Sequence, residues 1–238
     1  MSELNKGFFY FIDEVGRGCL AGPVVSVACS ISFDSFSHLK ALIFYLKQKL
    51  GVTDSKKISS LKRIEILKQL KIDFTKLGHH SIELPIPFKM DFYISQVEPS
   101  EIDRINILQA TMKSMENAGS ELIKINEERN PEEKMSHCFW IDGNKIPPIT
   151  SKNNNKIKCT AVIQGDQKLT LIALSSIVAK EYRDHLMKQL DRRYPEYNFS
   201  SHKGYGTEIH RSMIAKHGPT LIHRLSFAGV KEYVSKSG

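Results

Sequence analysis

Two apolar runs flank a glycine-rich turn near the start of the chain. Phe8-Phe9-Tyr10-Phe11-Ile12 and the Val- and Ile-rich stretch 23–31 (PVVSVACSI) read as buried strands. Between them Gly16, Gly18 and Gly22 fall within seven residues, the mark of a tight turn with close backbone approach. Residues 36–50 read as a helix, 51–57 as a loop, 59–71 as a charged amphipathic helix, and 79–84 as a third strand closed by Pro85 and Pro87. Pro99 to Asp103 reads as a helix start, with Ser100 as the cap and Asp103 answering it. Ile105, Leu108, Met112 and Met115 give that helix one buried stripe. The polar segment 119–136, with Pro131, is expected to be exposed. Cys138 to Ile141 reads as a strand ending at Asp142-Gly143-Asn144. After the polar loop 150–156, the alternation of Ile157, Cys159, Ala161 and Ile163 predicts another strand, ending at Gly165-Asp166. Residues 170–192 form a helix pattern carried by Leu171, Leu174, Ile177, Val178, Leu186 and Leu190 and stopped by Pro195. A turn at 203–207 precedes a last helix that Gly218-Pro219 ends. Strands and helices alternate throughout, so the class is α/β with a mixed sheet. No linker or repeat divides the chain. Residues 1–238 read as one domain, with about 196–238 a helical part of the same unit.

Composition narrows the function classes. The chain has 238 residues, 41% of them apolar and 25% charged, which excludes disordered, collagen-like and low-complexity proteins. Lys plus Arg exceed Asp plus Glu, 34 to 26, for a net charge of +8 that favours polyanionic partners. Cys19, Cys29, Cys138 and Cys159 show no metal or redox spacing and read as buried free thiols of a reducing compartment. No apolar run approaches the ~20 residues of a bilayer span. A cytoplasmic protein without membrane association, monomeric by default, is the expectation.

The acids at strand ends carry the chemistry. Asp13, Asp142 and Asp166 each stand where an apolar strand stops beside glycine, and Glu14 adjoins the first. Any one of them could merely cap a turn. Three such ends converging would gather carboxylates whose repulsion calls for a cation. Hard divalent ions with oxygen ligands suit them, Mg²⁺ best, and a pair of such ions can hydrolyse a phosphodiester. Neighbouring strand residues face opposite ways, so Asp13 and Glu14 share one site only if their strand has already ended.

These residues also carry a resemblance. DEVGRGCLAGPVV (13–25), DSKK (54–57), INILQAT (105–111), IDGN (141–144), GDQK with IALSSIVAK (165–180), HKGYGT (202–207) and IHRLSF (222–227), in that order, closely resemble ribonuclease HII, the type 2 ribonuclease H. The resemblance implies a ribonuclease H-like mixed five-stranded sheet flanked by helices, with a helical C-terminal extension. It implies an endonuclease using Mg²⁺ or Mn²⁺, with two metals expected, on RNA–DNA hybrids and on single ribonucleotides embedded in duplex DNA. Cleavage leaves 3′-hydroxyl and 5′-phosphate ends. It makes Asp13, Glu14, Asp142 and Asp166 the metal ligands. Gly16-Arg17-Gly18 becomes the turn laid against the 2′-hydroxyl, which distinguishes RNA from DNA. Arg17 then holds a phosphate, and Tyr205 packs on the neighbouring deoxyribose. Lys56 is a phosphate contact or a solvated lysine. Cys19 stands where the family usually has Pro, Leu169 and Leu171 where it has serines, and Gln164 where Gly is common. The segments 119–136 and 150–156 are longer and more charged than the family leads one to expect. His202, His210, His217 and His223 read as helix-surface and turn histidines. Two alternatives stand beside this reading. Ribonuclease HIII shares most of the acids but typically lacks the turn arginine and carries an extra N-terminal domain, so Arg17 and the 12 residues before Asp13 favour type HII. The other is a nucleic-acid binder without catalysis.

Overall fold

The structure is a computed structural model that describes residues 7–32, 35–83, 89–131 and 134–236. Its centre is a six-stranded mixed sheet of order β3-β4-β2-β1-β5-β6. The strands are β1 (Gly7–Val15), β2 (Val24–Ile31), β3 (Gly78–Glu83), β4 (Lys89–Val97), β5 (Ser136–Asp142) and β6 (Lys156–Val162). β1, β2, β4 and β3 pair antiparallel, while β1–β5 and β5–β6 are parallel. The expected architecture is present, with one strand more than the resemblance implies. Pattern reading had passed over β4, where Met90, Phe92 and Ile94 alternate with Asp91, Tyr93 and Ser95. Asp91 survives burial because His79 and Arg129 hydrogen-bond its two oxygens at 2.7 and 2.8 Å. The proposed closure of β3 by Pro85 and Pro87 lies outside the described residues.

Helices cover both faces, so central β2 is buried along its whole length. On one face α1 (Phe36–Phe44), α2 (Ser60–Gln69) and α5 (Thr170–Arg193) enclose Phe11, Val25, Val27, Phe92, Leu174 and Val178. On the other, α3 (Pro99–Arg129) lies over Tyr10, Ile12, Phe139 and Ile141. The short α4 (Gly165–Lys168) leads from β6 into α5. After α5 come α6 (Phe199–His202) and α7 (Glu208–His217), with Met187, Tyr197, Phe199, Ile214 and Val230 forming a further core against Leu20 and Ala21.

Three local expectations are corrected. Glu98, not Ser100, is the N-cap residue of α3, with Pro99 supplying the first-turn φ. Asp103 instead accepts from the Leu225 and Ser226 N–H groups and the Ser226 hydroxyl at 2.8, 2.9 and 2.6 Å, tying α3 to the C-terminal region. The stripe from Ile105 to Met115 is interrupted at Asn106, whose φ of 66° kinks α3 and whose side chain re-caps it at Leu108 and Gln109. Leu108 is consequently exposed. Finally, 119–129 continues α3 instead of lying open: Leu122, Ile123, Asn126 and Glu127 face inward at helical spacing, with charged neighbours outside. Among the thiols, Cys19 and Cys29 are buried as expected, whereas Cys138 and Cys159 are half-buried.

Candidate active site

Three carboxylates meet where β1 parts from β5. Pairing with β5 stops at Ile12↔Ile141, while pairing with β2 runs on through Asp13↔Val27, Glu14↔Ser26 and Val15↔Val25. One edge of β1 is therefore open from Asp13 onward. Phe11 packs toward α5 and Tyr10 and Ile12 toward α3, so alternation sends Asp13 to the first face and Glu14 to the second. They meet nonetheless. Asp13 Oδ1 turns back to accept the Glu14 N–H at 2.8 Å. One oxygen each of Asp13, Glu14 and Asp142 lies within 4.8 Å of the others. The strand need not end, as the sequence reading required; losing its neighbour on one side suffices.

Asp142 closes β5 as expected, and its Oδ1 accepts the Gly165 N–H at 2.5 Å, which fixes α4 beside it. Asp166 does not end a strand. β6 stops at Val162, Gln164 adopts a left-handed φ of 56°, and Asp166 lies in the first turn of α4. It falls outside the three-carboxylate cluster and pairs with Lys56 Nζ at 3.3 Å. Lys56 projects from a loop anchored on α5. Ser55 Oγ lies 2.9 Å from Ser176 Oγ. Arg63 donates to the Ser55 and Ile58 carbonyls, both at 2.7 Å, and to Glu181 at 2.6 Å.

The cluster is electrostatically unfinished. Burial, then the charges of Glu14 and Asp142, hold the Asp13 carboxyl well above the usual carboxylate range. Burial raises Glu14 too, opposed chiefly by Arg17, whose Nη1 lies 3.3 Å from Glu14 Oε1. Glu14 Oε2 is buried without a hydrogen-bond partner. An all-oxygen donor set with an orphaned carboxylate oxygen fits a hard divalent cation.

Beside the acids, the glycine turn rests on two fully buried arginines. Arg224 donates from Nη2 to Gly16 O at 2.6 Å, from Nη1 to Arg17 O at 2.8 Å and from Nε to Gly22 O at 3.0 Å. Arg183 donates to the Pro23, Lys203 and Ala21 carbonyls at 3.1, 2.8 and 2.9 Å. In a planar trans peptide the next N–H points opposite to the carbonyl. Drawing the Gly16 and Arg17 carbonyls inward therefore turns the Arg17 and Gly18 N–H groups outward. Gly16 has φ +90°, and a Cβ there would stand 2.3 Å from Arg183 Nε, so only glycine fits. Tyr205 is brought alongside by an antiparallel bridge to Cys19 and by the Leu20 N–H donating to Gly204 O at 2.8 Å. Tyr205 itself stays 41% exposed.

Comparison with known proteins decides the family. The profile described as Ribonuclease HII matches residues 11–230. The chain belongs to the ribonuclease HII family. It is 38% identical over 221 residues to the Ribonuclease HII of Chlamydia pneumoniae, covering 93% of this chain and 83% of that one. To the Ribonuclease HII of Nitratidesulfovibrio vulgaris it is 38% identical over 228 residues, covering 94% and 87%. Among solved structures, the ribonuclease H2 of Pyrococcus horikoshii aligns with a TM-score of 0.64 at 19% identity, covering 96% of this chain and 98% of that one. A Bst ribonuclease HIII in complex with Mn²⁺ aligns at 0.58 and 17%, covering 99% and 71%. At these identities the two structures speak for the fold alone. Family membership makes the chain a hydrolase, a ribonuclease H that acts as an endonuclease on RNA in RNA–DNA duplexes and depends on a divalent metal.

The sequence reading missed the two arginines that hold the glycine turn of this ribonuclease HII family member in shape. Arg183 sits on the buried side of α5, in step with Met187 and Ala179. A cation inside an apolar stripe was the available signal. Arg224 lay unread inside IHRLSF. The histidines are corrected as well: of the four, His202, His210 and His223 are buried, packed edge-on or tilted against Tyr197 and Phe199, and only His217 is exposed. Among the described residues no helix is long and apolar enough to cross a membrane.

Proposed function

We propose that this chain cuts duplex DNA 5′ of single embedded ribonucleotides, and the RNA strand of RNA–DNA hybrids, leaving 3′-hydroxyl and 5′-phosphate ends. One observation carries the reading: the carboxylate cluster lies two residues from a glycine turn whose outward N–H groups can meet a ribose. In this reading the chain acts as one unit, 1–238. Asp13, Glu14 and Asp142 hold Mg²⁺ or Mn²⁺, and Asp166, set apart with Lys56, serves a second cation. When bound, the metal supplies Lewis-acid chemistry at the phosphodiester.

The chain's own groups do the rest. The Arg17 and Gly18 amides face the 2′-hydroxyl, where a side chain on residue 16 would collide with Arg183. Arg17, half-exposed and only loosely held by Glu14, takes a backbone phosphate. Tyr205 presents its exposed ring to the adjoining deoxyribose. Lys56, its side chain 81% exposed beside Asp166, reaches a backbone phosphate as a point charge. Arg183 and Arg224 keep the turn rigid while substrate enters. The test is a duplex with one ribonucleotide, incubated with Mg²⁺ or Mn²⁺ and mapped at both product ends. A single cut 5′ of the ribonucleotide is expected. Cleavage confined to long RNA tracts, as in ribonuclease HIII-like selectivity, or metal-independent binding without product, would replace this reading.

A further inference from the structure

The buried histidines are arranged with a direction. The Thr220 N–H donates to His223 Nδ1 at 2.9 Å, and the Thr220 hydroxyl lies 2.9 Å from the same nitrogen. His223 Nε2 lies 3.2 Å from His210 Nε2, and His210 Nδ1 lies 2.9 Å from the Tyr205 carbonyl. A carbonyl only accepts, so His210 carries its proton on Nδ1 and leaves Nε2 bare. A nitrogen receiving the Thr220 N–H must be bare, so His223 carries its proton on Nε2. The two assignments agree, and His223 donates to His210, which donates to Tyr205. His202 holds the adjoining residue: its Nδ1 accepts the Gly204 N–H at 3.2 Å, while Nε2 donates to Tyr197 O at 2.8 Å. Its ring stacks on His210 at 4.4 Å between centroids, with the Phe199 edge against both.

We propose that His210, backed by His223, is a positioning residue for the ribonuclease reaction: it fixes the Tyr205 backbone through a one-way histidine relay, so that the tyrosine ring is held at the substrate. This rests on the assignment of Tyr205 to the deoxyribose under the proposed function. Burial supports the relay by holding His210 at about 4 and His223 at about 3, so both rings are neutral in the neutral pH range and the chain of donors is complete. The relay sets the ring's alignment through the Tyr205 carbonyl and supplies none of the substrate contact itself. Its loss should therefore appear in turnover more than in substrate affinity.

The experiment combines tautomer and kinetics. In the unaltered chain at pH 7.5, ¹⁵N NMR of the imidazoles should show His210 protonated on Nδ1 and His223 on Nε2. Reversal of either tautomer overturns the relay without any variant being made. His210→Phe keeps a ring and removes the donor. It should lower kcat on the one-ribonucleotide duplex by about 10- to 100-fold, the scale of a misplaced substrate contact, with KM within about 2-fold. His210→Asn restores an N–H near the Nδ1 position and should recover most of the loss. In a Tyr205→Ala background, His210→Phe should add less than about 2-fold, as residues acting through one another do. A full additional loss there makes His210 merely structural and overturns the proposal. If Tyr205→Ala alone leaves kcat unchanged, the substrate assignment of Tyr205 is what fails.

Discussion

Glu14 and Glu127 are both carboxylates packed against the α3 face of the sheet, and the molecule treats them oppositely. Glu127 Oε1 accepts from His137 Nε2 at 3.2 Å, Ser151 Oγ at 2.6 Å and Asn155 Nδ2 at 2.8 Å. The network extends through His137 Nδ1 to the Tyr10 hydroxyl at 2.9 Å and on to Asn126 Nδ2 at 3.1 Å. The loop 150–156, without a role in the sequence reading, thus helps to saturate a buried acid. Glu14 has a lone hydrogen-bonded arginine on one oxygen, nothing on the other, and two more carboxylates beside it. A saturated buried charge builds the fold; an unsaturated cluster stores affinity for something from outside.

The largest expected effect breaks this comparison from the unsaturated side. Asp142→Asn, or Asp13→Asn, should lower cleavage by about 10³-fold or more, the scale of removing a group that stabilises transition-state charge. Hybrid binding should survive. Melting temperature without metal should hold steady or rise, since crowding among carboxylates is relieved. A variant with near-normal turnover would remove the metal assignment. From the saturated side, Glu127→Ala leaves three donors without an acceptor. It should destabilise by about 1–3 kcal/mol in chemical denaturation while leaving kcat per folded molecule unchanged. If the two substitutions behaved alike, satisfaction of hydrogen bonds would not separate framework from site.

Metal binding sharpens the same contrast at smaller scale. Adding Mg²⁺ or Mn²⁺ to EDTA-treated protein should raise its melting temperature. At a hundredfold excess over Kd the gain is about 2.7 kcal/mol. Calorimetric scans should show the gain intact in Glu127→Ala and lost in Asp13→Asn. Equal gains in both would place the ion elsewhere.

How much of this was legible beforehand follows physical lines. The β1–turn–β2 unit could be read because apolar runs and glycines are local signals. Asp142 could be read because its strand ends where Gly143 begins. Asp166 was expected at a strand end and lies in the first turn of α4, outside the three-carboxylate cluster, because the left-handed Gln164 starts a helix after β6 has stopped. β4 escaped because its alternation carries Asp91, whose burial only a distant His79 and Arg129 explain. The Arg224 clamp and the Glu127 network were invisible for the same cause. Periodicity reports which faces seek burial, but not which remote donors will satisfy a polar group once buried.

The smallest effect separates the acid cluster from the histidine cluster by sign. His210 and His223 sit at about 4 and 3 in the folded chain, pushed below the ordinary value of 6.5 mainly by burial. The unfolded chain therefore takes up protons first as pH falls. The stability these neutral rings contribute is complete above about pH 6.5 and drains away as pH drops toward their folded values. Asp13 is shifted upward, so without metal it binds a proton more readily folded than unfolded, and its contribution weakens as pH rises through its folded pKa. Urea unfolding of metal-free protein from pH 4.5 to 7 should thus show a His210→Phe variant with a shallower rise than the parent across pH 5–6.5. Asp13→Asn should instead lose less stability toward the high end. A His210→Phe profile parallel to the parent would mean that His210 takes up its proton as readily in the folded chain as in the unfolded one, and that the rings beside Tyr205 are not sealed from water.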